Sequence, residues 1–95
     1  MYLRITRGRF DPARFADLQR FAEQVVAAVQ RLPGFQRFYG GVDRAVGTFV
    51  IVTLHDSEAE ARFSRDILVG DVVARMQAGG VELEPPAVYE VAIQA

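Results

Sequence analysis

The stretch Thr48 to Leu54 reads Thr-Phe-Val-Ile-Val-Thr-Leu. It is rich in β-branched and aromatic residues and hardly alternates. A half-exposed strand alternates apolar and polar side chains, so a continuously apolar one is covered on both faces. This feature constrains the fold most. The chain has 95 residues, enough for one domain with a modest core. One layer of helices covers one face of a sheet. The other face of this strand must meet something else, and a second subunit's sheet is the simplest candidate. A hydrophobic fraction of 51% fits a chain with apolar surface to spare for an interface or a pocket.

Strands and helices can be placed around that segment. Tyr2 to Arg9 alternates, with Leu3 and Ile5 on one face and Tyr2, Arg4 and Thr6 on the other; Gly8 is expected to end it. Asp11-Pro12 opens a helix, Asp11 as cap and Pro12 at the first position. Phe15, Leu18, Phe21, Ala22, Val25, Val29 and Leu32 give that helix one apolar stripe, and Pro33-Gly34 stops it. Phe35 to Gly40 is a second strand, and Gly41 to Gly47 a turn region. Ser57-Glu58-Ala59-Glu60 is a capping box that starts a second helix through Ala61, Phe63, Ile67 and Leu68. Gly70-Asp71 interrupts it, a short helix follows through Val72, Val73 and Met76, and Gly79-Gly80 ends that. Pro85-Pro86 leads into a last strand, Ala87 to Ile93, with Tyr89, Val91 and Ile93 on one face.

The order β-α-β-β-α-β is the split arrangement of ferredoxin-like α+β folds. Right-handed crossovers then set an antiparallel four-stranded sheet of order 4-1-3-2, with both helices on one face. The strand at Thr48 to Leu54 is central in that order. Residues 1–95 form a single domain.

Several function classes are disfavoured. The net charge is −1, and the basic residues, all Arg, are scattered among acids; a nucleic-acid binder shows a basic stripe. With no Cys, disulfides, thiolate nucleophiles and iron–sulfur clusters are excluded. No apolar run reaches the length of a membrane span, and Met1-Tyr2-Leu3-Arg4 lacks a signal-peptide pattern, so the expected location is cytoplasmic. His55 with Asp56, Glu58 and Glu60 has no metal-ligand spacing. Gly40-Gly41 and Gly79-Gly80 do not fit a phosphate-binding loop. No metal and no cofactor is expected.

Leu32-Pro33-Gly34-Phe35 at the helix-to-strand turn, the hairpin after it, and a third strand running straight into His55-Asp56-Ser57-Glu58-Ala59 resemble the antibiotic biosynthesis monooxygenase family of the dimeric α+β barrel superfamily. The resemblance spans essentially the whole chain. It implies a homodimer in which two sheets face each other and the helices lie outside. It also implies cofactor-independent oxygenation of a small aromatic or quinol-type substrate. Two departures stand out. This chain has His55 where many members carry Trp, and it has no Asn or Trp anywhere, so the haem-degrading Asn-Trp-His set does not transfer.

Candidate site residues follow from position. His55, the only His, titrates near neutral pH and is the one candidate base; it can equally hold the backbone ahead of the capped helix. A pocket is expected between the helices and the sheet, with His55 near its mouth. Tyr2, Arg4, Phe38, Tyr39, Phe49, Phe63 and Met76 are its candidate lining, and each also reads as core. Arg4, on a central strand, needs a partner, for which Glu90 is a candidate. Two readings stand at this level: a cofactor-independent monooxygenase, and a non-catalytic dimeric module that binds a small apolar or aromatic ligand or serves only as a structural subunit.

Overall fold

Strand pairing organises the chain. The structure, a computed structural model, describes residues 1–62 and 72–95, with the backbone alone at Val72 and Val73. Phe63, Ile67, Leu68 and the Gly70-Asp71 break lie outside the described residues. Strands β1 (Tyr2–Arg9), β2 (Phe35–Asp43), β3 (Thr48–His55), β4 (Glu82–Leu83) and β5 (Ala87–Glu90) form one antiparallel sheet. Its order is β2-β3-β1-β4, with β5 also pairing with β1. β4 and β5 together occupy the place of the fourth strand, so the observed path is the expected 4-1-3-2 order read from its other end. A 3-10 turn (Pro12–Arg14) leads into α1 (Phe15–Val29), and α2 (Glu58–Ala61) and α3 (Val72–Ala78) precede β4.

Local chemistry sets the boundaries. Asp11 accepts a hydrogen bond from the Ala13 amide at 2.9 Å, which satisfies an amide at the helix start. After α1 the chain turns through Gly34, whose φ is +74°, a value other residues avoid. The Gly34 carbonyl accepts from the Asp56 amide at 2.9 Å, docking this turn against the start of α2. Ser57 Oγ accepts from the Glu60 amide at 3.2 Å, as the capping box requires. The hairpin between β2 and β3 is held by Asp43, whose side chain accepts from the Ala45 and Val46 amides at 3.1 Å each.

Two bulges decide which face each side chain takes. In β2, Phe35 is opposite His55 but Arg37 is opposite Leu54. Gln36 is therefore an extra residue, and it re-phases the strand. Phe35 and Phe38 consequently both face the helices, although three residues apart. On the other edge, Leu83 is opposite Gly8 and Ala87 opposite Ile5. The segment Glu84-Pro85-Pro86 thus carries one residue more than the part of β1 it spans. Glu84 still donates to the Arg7 carbonyl at 2.8 Å, but neither proline has an amide to donate, so the strand is split.

The sequence-based expectations need five corrections. α1 stops at Val29, so Leu32 lies in the turn before Pro33-Gly34 and not in the helix. β2 continues to Asp43, because Gly41, Val42 and Asp43 pair with Val50, Phe49 and Thr48. Gly8 lies within β1 rather than ending it. The last strand stops at Glu90, opposite Tyr2; Val91 still donates to the Met1 carbonyl at 3.0 Å, and Ile93 is 91% exposed. Arg4 faces Val88 in the register, while Glu90 faces Tyr2 and is exposed.

The core lies between the helices and one face of the sheet. Phe10, Leu18, Val25, Val29, Phe49 and Met76 are buried there, with Val81 beside them. Phe49 alone, once buried, contributes about 1.5–3 kcal/mol. The opposite face carries Leu3, Ile5, Val50, Val52 and Leu54, each half-buried in the single chain, with Tyr39 57% and Tyr89 53% exposed. Residues directly opposite in an antiparallel pair share a face, which puts Tyr39 with Val52 and Tyr89 with Leu3.

Gly8 makes a specific demand on this packing. A Cβ there would stand 2.4 Å from the Glu82 carbonyl oxygen and 2.4 Å from Phe49 Cζ. Neither the strand backbone nor the buried ring can move far. Gly8→Ala is expected to cost about 1–3 kcal/mol, the usual penalty of overpacking, seen as a lower urea midpoint. An unchanged midpoint would show that Phe49 has room to shift.

Candidate functional site

Because β2 is the sheet edge and α1 crosses above it, the space between them opens to solvent. It forms a cleft of about 220 Å³. Helix α1 contributes Phe15, Leu18, Gln19, Ala22 and Val25; the sheet contributes Phe38, Gly40, Val42, Phe49 and Ile51; α3 contributes Met76. Leu18, Val25, Phe49 and Met76 are buried and make the floor, whereas Gln19, Gly40 and Val42 are exposed and make the mouth. The Phe15 ring is held from outside by the Arg44 guanidinium, 4.2 Å from its centroid, a cation–π contact.

Among the described residues of the lining, Gln19 is the one polar side chain and none titrates. Such a wall accepts an uncharged, apolar molecule. Burying a charge on the floor would need a partner that Leu18, Val25, Phe49 and Met76 do not supply. The volume exceeds that of a cavity known to take benzene, about 150 Å³. It falls below the roughly 300–1,000 Å³ of a drug-sized pocket. One or two aromatic rings fit that range.

A second group of side chains sits on the same face at the other end of the strands. Arg4, Thr53 and His55 are all buried. Arg4 Nη1 donates to the Ala61 carbonyl at 3.0 Å, at the end of α2. His55 Nε2 is 2.8 Å from Thr53 Oγ1, and its ring meets that of Phe35 edge-on, with centroids 6.2 Å apart. Burial disfavours the charged imidazolium and lowers the His55 pKa, and the nearby Arg4 charge lowers it further. Glu60 and Asp56 pull the other way without reversing the shift. His55 is thus held neutral.

The structure divides the expected site residues. Phe38, Phe49 and Met76 meet at the cleft. Tyr2, Arg4 and His55 share its face but not its lining: His55 is four residues beyond Ile51, roughly 13 Å along a strand, and is 0% exposed. It is not at the cleft mouth. Tyr39 points to the opposite face, because successive strand residues alternate and Phe38 takes the helical side. Phe63 lies outside the described residues. Sequence reading missed Gln19, Gly40 and the α1 wall, since an apolar helical stripe does not reveal where its packing stops short. Among the described residues, no group of three His, Asp or Glu side chains gathers as metal ligands. No helix among them is long and apolar enough to cross a membrane.

Neither a protein-family model nor a curated protein matches the sequence. Solved structures do match. A protein from Deinococcus radiodurans described as an antibiotic biosynthesis monooxygenase superposes with a TM-score of 0.78 at 17% identity, covering 100% of this chain and 96% of its own. SnoaB, a cofactor-independent oxygenase from Streptomyces nogalater, gives 0.73 at 16% identity, covering 98% and 94%. A dimeric ferredoxin-like protein from an uncultured marine organism gives 0.74 at 12% identity, covering 100% and 98%. The chain has the ferredoxin-like fold of these proteins. At such identities the likeness is one of fold, and site chemistry has to be argued from the residues of this chain. In that fold the cleft lies between the helical layer and the sheet, while His55 lies beneath α2.

The buried neutral imidazole predicts a pH dependence. Above the ordinary histidine value of 6.5, folded and unfolded chains both carry neutral His55, and its stabilising contribution is complete. Below 6.5 the unfolded chain takes up a proton that the folded one resists, so stability falls as pH drops through the lowered folded value. Asp17, held low by Arg20 and Arg14, acts only below its ordinary 3.8 and leaves this window clear. Urea midpoints are expected to decline just below pH 6.5 and to decline less in His55→Gln. Equal slopes in both proteins would contradict the assignment.

Proposed function

We propose that this chain is an antibiotic biosynthesis monooxygenase-like protein that works as a homodimer and holds a small aromatic or quinol-type molecule in the cleft between α1 and the sheet. The observation that carries the reading is the apolar cleft itself. It has the size of one or two rings, carries one amide at its mouth, and occurs in a fold shared with a cofactor-independent oxygenase. A quinol can supply the electrons for oxygenation itself. One quinol and one O₂ give one hydroxyquinone and one water: one oxygen atom ends on a ring carbon, the other leaves as water, and the ring is oxidised. The role of the protein is then to exclude bulk water and hold the ring.

A specific observation favours a second reading, a binding module without turnover. Such oxygenation begins with loss of a substrate proton, and no titratable side chain among the described residues lines the cleft. His55, the only His, is fully buried elsewhere on the face. The readings separate in an oxygen-electrode assay over a panel of one- and two-ring quinols. The oxygenase reading expects substrate-dependent O₂ uptake without added metal or flavin, with one hydroxyquinone formed per O₂. Tight binding with no uptake above the uncatalysed rate would establish the binding module.

The dimer is supported by the outer sheet face. Leu3, Ile5, Val50, Val52 and Leu54 form an apolar surface with no helix over it among the described residues, and burying it against a second copy is favourable. Light scattering at micromolar concentration is expected to give the mass of two chains. Val52→Arg, which adds charge on this face and not in the core, is expected to give a folded species of half that mass. A wild-type monomer would contradict the proposal.

A further inference from the structure

Gly40 occupies a position where glycine is a poor choice for the strand. It lies within β2, where a glycine has no side chain to pack and loses more conformational freedom than other residues. Glycine is tolerated in a strand when its φ is positive, when protein atoms press on its Cα, or when a ligand does. The first reason fails, because the positive-φ glycines are Gly34, Gly47 and Gly80. The second fails as well. A Cβ at Gly40 meets one atom within 4 Å, Phe38 Cε1 at 3.9 Å, an ordinary contact. At Gly8 and Gly47, by contrast, a Cβ would stand 2.4 Å from a backbone oxygen. The protein does not itself require glycine at this point.

The register shows what the missing side chain leaves open. Gly40 is opposite Ile51, and Phe38 is opposite Thr53, so a side chain at Gly40 would project from the helical face into the cleft mouth, which Gln19 also lines. We propose that Gly40 is a specificity-determining residue. Its bare backbone is a wall on which a flat, uncharged molecule of one or two fused rings lies, with a hydroxyl or carbonyl oxygen turned to the Gln19 amide. The inference rests on the reading of the cleft as a ligand site. Flatness follows from the bare strand backbone, neutrality from the lack of charge among the described lining residues, and the oxygen from Gln19, the one polar side chain among them. An amide can both donate and accept, so a phenol and a quinone are both accommodated.

The test titrates the full chain with 1-naphthol, naphthalene and 1-naphthoate by calorimetry or protein NMR. Wild type is expected to bind 1-naphthol more tightly than naphthalene, and 1-naphthoate at least about tenfold more weakly than 1-naphthol. Gly40→Val is expected to lose at least about tenfold in 1-naphthol affinity with its melting temperature unchanged or raised, since a β-branched residue suits a strand. Gln19→Leu is expected to bind 1-naphthol no better than naphthalene. If Gly40→Val melts lower, Gly40→Ala is used instead, with a smaller loss of the same sign. Wild-type binding together with folded Gly40 variants that bind equally well would overturn the role of Gly40 and leave the cleft reading standing. Absence of binding by all three probes to wild type would overturn the cleft reading, and this inference with it.

Discussion

A strand that is apolar on both sides has to be covered twice, and β3 is that strand. Phe49 and Ile51 face the helices, while Val50, Val52 and Leu54 face away. Covering the first side produces the core, because Leu18 and Val25 of α1 and Met76 of α3 close over Phe49. Covering the second side calls for a surface that the described residues do not supply. Position in the sheet agrees with the same constraint. β3 lies between β1 and β2, so its backbone is paired on both edges.

The cleft arises where this coverage stops short. β2 is the edge strand, and the extra residue at Gln36 rotates Phe38 onto the helical face and leaves Gly40 two residues further along the same wall. Without that bulge the strand would run in the opposite phase, with Phe38 on the outer face. At the far end of the strands the same face is closed by polar contacts: Arg4 reaches the Ala61 carbonyl, and His55 meets Thr53. One end of the face is therefore apolar and open, the other polar and sealed. A neutral histidine is stable at the second.

Much of this was legible in the residues. Asp11-Pro12, the α1 stripe from Phe15 to Val29, the turn at Pro33-Gly34 and the cap at Ser57 are local signals, and each appears where its chemistry demands. The β-α-β-β-α-β order with right-handed crossovers set the strand order, and the doubly apolar β3 fits the central place that order gives it. What escaped the sequence was phase and depth. Phe38 and Tyr39 are adjacent aromatics, and only the bulge at Gln36 decides which one faces the helices. Glu82 and Leu83 are too short a run to show period two, and the two prolines after them hide that they extend the same strand as Ala87 to Glu90. His55, placed by its position at a strand end, looked like a rim residue, yet α2 and the Gly34 turn cover that rim. Gln19 and Gly40 gave no signal, because a cleft mouth is made by two elements distant in sequence.

The central claim is that the apolar cleft under α1, and not the polar cluster around His55, receives the ligand. Nuclear Overhauser contacts between bound 1-naphthol and methyl groups of the protein test it most directly. The account predicts contacts from the ring protons to the methyls of Leu18, Val25 and Met76, which line the cleft floor. Contacts confined to Thr53 beside His55, or to Val52 and Leu54 on the outer face, would contradict it.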